Sequence, residues 1–110
     1  MKINNERIAK RWNDVMMNIC VEYNTINTMY SELETHKGYY GTEEGITVDW
    51  MIGEAEYWLS CYYEGGNCRC DDRFEGEDEY KTWVSETGKL KRLIALLKSF
   101  DRDLVVAEQE

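Results

Sequence analysis

Residues 5–35, NERIAKRWNDVMMNICVEYNTINTMYSELET, contain apolar side chains at regular intervals. The intervals alternate between four and three residues, the pattern of a helix with one buried stripe. A second apolar stripe at intervals of seven widens the predicted buried face, so we expect this helix to pack against two neighbours. The first stripe is Ile8, Trp12, Val15, Ile19, Ile26, Met29 and Leu33, with Glu22 at one of its positions, and the second is Ala9, Met16, Tyr23 and Tyr30.

Apolar spacing predicts two more helices. Thr47 is the expected N-cap of a helix that ends near Tyr63, and a third helix covers about residues 77–100. Gly53 is expected to mark a close approach between helices, because glycine in a helix costs about 1 kcal/mol relative to alanine. Residues 64–76 are predicted to form an acidic loop that contains cysteines.

The predicted fold class is all-α. We expect residues 1–110 to form a single domain, an antiparallel three-helix bundle with helices at about 5–36, 47–63 and 77–100. Asn4 or Asn5 is the expected N-cap of the long N-terminal helix. Only residues 45–50 and 104–107 resemble strands, and both runs are short, so a regular sheet is not expected.

The N-terminal residues lack the continuous apolar segment of a secretion signal. Arg7, Lys10, Arg11 and Asp14 interrupt every apolar run there. No segment of the sequence approaches the roughly 18 apolar residues that a membrane span requires. We therefore expect a cytoplasmic protein without membrane contact, in a compartment where thiols stay reduced.

The negative charge of the chain is concentrated in its middle. The formal net charge is −9, and residues 38–80 alone carry twelve acidic and two basic side chains. Direct binding to nucleic acid is not expected, because phosphate contacts require fields of lysine and arginine. An acidic surface of this kind favours a protein partner with a basic surface.

The cysteines allow one metal hypothesis. Cys68 and Cys70 form a C-x-C pair, and Cys61 precedes them by seven residues. Zinc prefers four soft ligands and a spacing of two to four residues between paired cysteines, so this set fits a zinc site only in part. The alternatives are buried or free thiols, or a disulfide from Cys61 to one of the pair.

Nothing in the sequence predicts an enzyme. His36 is the sole histidine, so a cysteine nucleophile would have one candidate base. No phosphate-binding loop, nucleophile elbow or metalloprotease motif is present in the sequence. We therefore predict no catalytic residues.

The acids that follow the cysteines suggest a surface that binds protein. Carboxylates at helical spacing on a rigid scaffold can occupy a basic surface and exclude nucleic acid from it. Aromatic side chains between them would anchor the contact. A solvated face that only keeps the protein soluble is the alternative interpretation. The predicted contact residues are the acids Asp71, Asp72, Glu75, Glu77, Asp78 and Glu79 and the aromatic residues Tyr62, Tyr63 and Phe74.

The predicted function is therefore a small acidic interaction protein. It would block the basic, nucleic-acid-binding surface of a partner such as a nuclease. In size and charge, and without a shared motif, the chain resembles phage-type inhibitors of restriction and CRISPR nucleases.

Two alternatives stay open. A helix of about 30 residues is about 45 Å long, more than the shorter second helix covers, so the remainder could form a homodimer as an oligomerisation or assembly module. A zinc-stabilised regulator is the other.

Overall fold

The computed structural model describes residues 2–19, 25–26, 45–64 and 77–108. These residues form three short strands and three helices. The prediction of an all-α bundle is therefore wrong, because the described fold is mostly helical but includes a three-stranded antiparallel sheet. In chain order the elements are β1 (Lys2–Ile3), α1 (Glu6–Ile19), β2 (Gly45–Thr47), α2 (Val48–Glu64), α3 (Glu77–Lys98) and β3 (Val105–Glu108).

The sheet joins the two ends of the described chain. Its strand order is β1-β3-β2, so β3 lies in the centre and pairs antiparallel with both neighbours. Ile3 and Ile46 both lie opposite Ala107. The pairing of β2 is irregular after Ile46, since Thr47 lies opposite Val105 and one residue of β3 is left over as a bulge.

Gly45 begins β2 at a position that excludes other residues. Its φ angle is +149°, a conformation that side-chain-bearing residues rarely adopt. A Cβ atom at this position would lie 2.1 Å from the carbonyl oxygen of Ala107. Glycine therefore permits β2 to approach β3 closely enough to pair with it.

The sequence did not predict the sheet, because its strands are very short and pair with residues that are far away along the chain. Residues 45–50 and 104–107 resemble strands in sequence, and they overlap β2 and β3. Strand patterns become recognisable over about four to eight residues. Ile46 and Ala107 are about 60 residues apart, and no local pattern reveals a pairing of that kind.

Helix α1 begins as predicted. The backbone N–H of Ile8 donates a hydrogen bond of 3.0 Å to Oδ1 of Asn5, which confirms Asn5 as the N-cap. The predicted apolar face is also confirmed for the described part of the helix. Its buried side chains are Ile8, Ala9, Trp12, Val15, Met16 and Ile19.

The prediction of one long helix over residues 5–36 is wrong. The backbone N–H of Ile26 donates a hydrogen bond of 2.8 Å to Oδ1 of Asn13. In one straight helix these residues would be about 20 Å apart along the axis, beyond the reach of an asparagine side chain. Ile26 instead lies beside α1, with 1% of its surface exposed. The predicted stripe positions Met29 and Leu33 lie outside the described residues.

Helices α2 and α3 agree closely with their predicted bounds. The hydroxyl of Thr47 accepts a hydrogen bond of 3.2 Å from the backbone N–H of Trp50, so Thr47 caps α2 as predicted. The two helices run antiparallel, because Glu56 pairs with Lys98 while the later Tyr62 contacts the earlier Glu86.

One apolar core connects all of these elements. Ile46 and Val48 enter it from β2 and the start of α2, and the rings of Trp12 and Trp50 lie 6.3 Å apart between α1 and α2. Each of the three helices therefore buries one face in this core and leaves its other faces at the surface. The other buried contributions include Met51, Ile52 and Ala55 from α2, Leu90, Leu93, Ile94 and Leu97 from α3, and Val106 and Ala107 from β3.

Candidate functional site

The interior contact between α2 and α3 is polar at one end. The buried hydroxyl of Tyr62 donates a hydrogen bond to the carboxylate of Glu86, which is also buried. The indole N–H of Trp83 donates to the backbone carbonyl of Tyr62 at 3.1 Å. Because hydrogen bonds are directional, these contacts fix how α2 lies against α3.

Two acids of α2 are neutralised within the molecule. Arg102, after α3, donates through Nε to Asp49 Oδ1 at 2.7 Å. Lys98 lies 3.4 Å from the carboxylate of Glu56, and both side chains are about half exposed. These ion pairs lie on the side of α2 that faces α3. Exposed ion pairs of this kind contribute only about 0–1 kcal/mol each to the stability of the fold.

An exposed aromatic side chain lies on the remaining face of α2. Tyr57 is 53% exposed, and its ring meets that of the half-buried Trp58 edge-on, with 5.6 Å between ring centroids. The indole N–H of Trp58 donates a hydrogen bond of 3.2 Å to Glu54. Burial raises the pKa of Glu54 above its ordinary value of 4.5, and this hydrogen bond offsets part of the rise.

Gly53 leaves an open space beside this aromatic pair. A Cβ atom added at Gly53 would meet nothing within 4 Å, so the prediction that it marks a close helix–helix approach is wrong. Gly53 lies one helical turn before Tyr57, on the same face of α2. We call Gly53, Glu54, Glu56, Tyr57 and Trp58 the acidic-aromatic patch.

A basic surface lies elsewhere on the molecule. Arg7, Lys10 and Arg11 share one exposed face of α1 and line a cleft of about 330 Å³. Leu96 of α3 and Asp14 complete its lining. We call this the basic cleft, and the charge pattern of the sequence did not predict it, because residues 1–37 have no net charge.

The predicted contact residues are only partly within the described structure. Tyr62 is 5% exposed and bound to Glu86, so it belongs to the core and not to an exposed surface as predicted. The first residues of α3 are Glu77, Asp78 and Glu79. Negatively charged residues interact favourably with the helix dipole at this end of a helix. Asp71, Asp72, Phe74 and Glu75 lie outside the described residues, and Tyr63 is described only as part of α2.

The metal hypothesis remains a prediction. Cys61 is buried near the end of α2. Within residues 2–19, 25–26, 45–64 and 77–108 no three histidine, cysteine or acidic side chains come together as a metal site. Cys68 and Cys70 are outside these ranges, so their part in a zinc site is a matter for metal analysis.

Sequence reasoning missed Tyr57 because it lies off the apolar stripe of α2. The available signal was its position four residues after Gly53, on a helix whose acids include Asp49, Glu54 and Glu56 and which contains no lysine or arginine. Exposed aromatic residues are enriched at protein interfaces, which is why Tyr57 is of interest here.

Comparison with known proteins gave no assignment: no protein-family model, curated protein or solved structure matches this chain. Among the helices that the structure describes, none has the length and apolar character required to cross a membrane.

Proposed function

We propose that the chain is a small protein-binding module that uses its acidic side to occupy a basic surface on a partner. The observation that carries the proposal is the exposed Tyr57 on a helix with four acids and no base. Exposed aromatic residues are common anchors of protein interfaces, and the surrounding carboxylates would select a partner of opposite charge.

The acidic stretch supports the same proposal from the sequence. The stretch at residues 71–79 carries six acids, and it ends in the first turn of α3. A partner surface that binds nucleic acid offers the lysine and arginine side chains that such carboxylates attract. We therefore propose inhibition of a nucleic-acid-binding protein, such as a nuclease, as the biological outcome.

The oligomerisation alternative loses part of its support. Ile8, Trp12, Val15 and Ile19 are buried by the chain itself, so the described part of the apolar stripe is not offered to a second helix. The length argument for a homodimer through the first helix also fails, because Ile26 lies beside α1.

Affinity capture at low and high salt tests the proposal. The baits are the wild type, an acid-stretch variant with Asp71, Asp72, Glu75, Glu77, Asp78 and Glu79 changed to Asn or Gln, and a patch variant, E54Q/E56Q/Y57S. We expect the wild type to retain a basic nucleic-acid-binding protein at low salt, and both variants to lose it. The patch changes are suitable because Tyr57 is exposed and a glutamine at position 54 still accepts the Trp58 hydrogen bond.

A control matched in charge to the patch variant separates recognition by the patch from an effect of net charge. D101N/D103N also removes two negative charges, at exposed positions after α3. The control should retain the partner as the wild type does. Equal retention by the wild type and both acidic variants would contradict the proposal and leave the acids as a solvated face.

A further inference from the structure

The bases of the basic cleft take no part in the ion pairs found among the described residues. Those ion pairs use Lys2, Lys98 and Arg102. Arg7, Lys10 and Arg11 are exposed and lie within about one turn of α1, at spacings that place them on one face. Three positive charges therefore surround a cleft with one acid, Asp14, and an apolar wall at Leu96.

The basic cleft and the acidic-aromatic patch lie on opposite flanks of α3. Leu96 lines the cleft, whereas Lys98 pairs with Glu56 of the patch. Two residues apart on a helix, these side chains point about 160° away from each other. The two surfaces therefore cannot meet within one molecule, but they can meet between two.

From this arrangement we infer that the basic cleft of one copy binds the acidic-aromatic patch of a second copy. In this contact the ring of Tyr57 packs on Leu96, and Glu54 pairs with the arginines and the lysine of α1. Glu56 exchanges its exposed ion pair with Lys98, which contributes little to stability, for a pair with one of the same bases. The occupant follows from charge complementarity. The sequence of α2 contains four acids and no base, and only exposed ion pairs from Lys98 and Arg102 offset them, while the cleft has three bases to one acid.

The contact is head-to-tail, because each copy contributes a different surface. Such heterologous contacts add further copies until the arrangement closes into a ring or grows as a chain. The net charge of −9 on each copy opposes association at low salt. At about 0.1 M salt, charges farther apart than about 10 Å are screened while direct ion pairs persist, so association should be strongest near this ionic strength.

The test is sedimentation equilibrium of the full chain near this ionic strength. The cleft variant is R7Q/K10Q/R11Q, and its control, K81Q/K89Q/K91Q, removes the same charge from α3. Lys81 and Lys89 line a separate cleft, apart from Leu96. We expect the average mass of the wild type and of the control to rise with concentration, and the cleft variant to associate at least about tenfold more weakly, as when an interface hot spot is lost.

Mixing two defective variants makes the test specific. The patch variant keeps an intact cleft, and the cleft variant keeps an intact patch. Each alone should associate at least about tenfold more weakly than the wild type. An equimolar mixture should form a heterodimer that grows no further, because its two remaining surfaces are defective. Circular dichroism of each variant confirms that a negative result does not reflect loss of fold.

Three results would overturn the inference. The wild type could stay monomeric at every concentration, the mixture could fail to form heterodimers, or the cleft variant could associate like the wild type. A monomeric wild type that binds inorganic polyphosphate through the same bases would assign the cleft to a free polyanion instead.

The inference does not depend on the proposed function. The cleft variant retains the acidic-aromatic patch, so it should still bind a basic partner even though self-association is lost. The cleft variant therefore separates loss of self-association from loss of partner binding, whereas the patch variant should lose both.

Discussion

Helix α3 contacts α1 on one flank and α2 on the other. The two flanks differ in whether polar groups make contacts across the interface. On the α2 flank, polar contacts cross the interface, from Tyr62 to Glu86 inside and from Lys98 to Glu56 outside. On the α1 flank, the described buried residues of α1 are apolar, and its bases Arg7 and Arg11 are exposed.

The difference indicates which charges serve the fold and which are available to a partner. Apolar burial is non-directional and supplies most of the stability, whereas hydrogen bonds fix orientation. The polar contacts hold α2 in one position against α3, so the exposed ring of Tyr57 is presented on a rigid support. Among the described contacts, the bases of the basic cleft form no ion pair that holds one helix against another.

The largest expected effect is on the apolar flank. Trp12→Ala removes a fully buried ring that contacts Trp50, and should lower the free energy of unfolding by about 3–5 kcal/mol. Met17→Ala, on the exposed face of the same helix, should change it by less than about 0.5 kcal/mol. Urea denaturation followed by tryptophan fluorescence measures both, and similar small losses would contradict the described core.

A change in the polar contacts between α2 and α3 should lower the free energy of unfolding by less. Tyr62→Phe removes the hydroxyl that donates to the buried carboxylate of Glu86, and should lower the free energy of unfolding by about 1–3 kcal/mol. Tyr57→Phe removes the same atom from an exposed ring and serves as the control. Equal effects of the two changes in chemical denaturation would show that the interior hydrogen bond contributes no more than a surface group.

Gly53 provides a change of opposite sign. Gly53→Ala should raise the free energy of unfolding by about 0.5–1 kcal/mol, because the position is helical and nothing lies near the added methyl group. If the open space beside Tyr57 receives a partner, the same substitution weakens binding while stabilising the fold. Thermal denaturation detects the first effect, and a loss of stability would show that the position is more crowded than described.

The smallest expected effect concerns pH. Because burial raises the pKa of Glu54, its carboxylate form opposes folding at neutral pH, and protonation relieves this as pH falls through the raised pKa. Glu54→Gln should therefore raise stability at pH 7 by up to about 0.5 kcal/mol. The advantage should disappear below the ordinary pKa of 4.5. Denaturation of both proteins across this range tests it, and an advantage that grows in acid would contradict the assigned cause.

Features set by local chemistry were predictable from the sequence. The caps Asn5 and Thr47 were among them, because a short polar side chain before an apolar period satisfies the free N–H groups of a helix start. The buried faces of the helices followed from spacing alone.

Features set by contacts between distant residues were not predictable. The sheet depends on the pairing of Ile46 with Ala107, and the basic cleft depends on Leu96 lying beside Arg7 and Lys10. Net charge over a segment cannot reveal such a cleft, because the sum does not record which charges share a face. The acidic contact surface at residues 71–79 stays a prediction, and the exposure of Tyr57 was not predicted.

The most direct test of the proposed function is competition for one surface. A partner retained in the capture experiment is saturated with labelled duplex DNA, and the chain is titrated in while fluorescence anisotropy reports the bound duplex. We expect the wild type and the cleft variant to displace the duplex, and the patch variant to displace it at least about tenfold less effectively. A ternary complex, with the duplex still bound at saturating chain, would contradict the proposal that the acidic side occupies a nucleic-acid-binding surface.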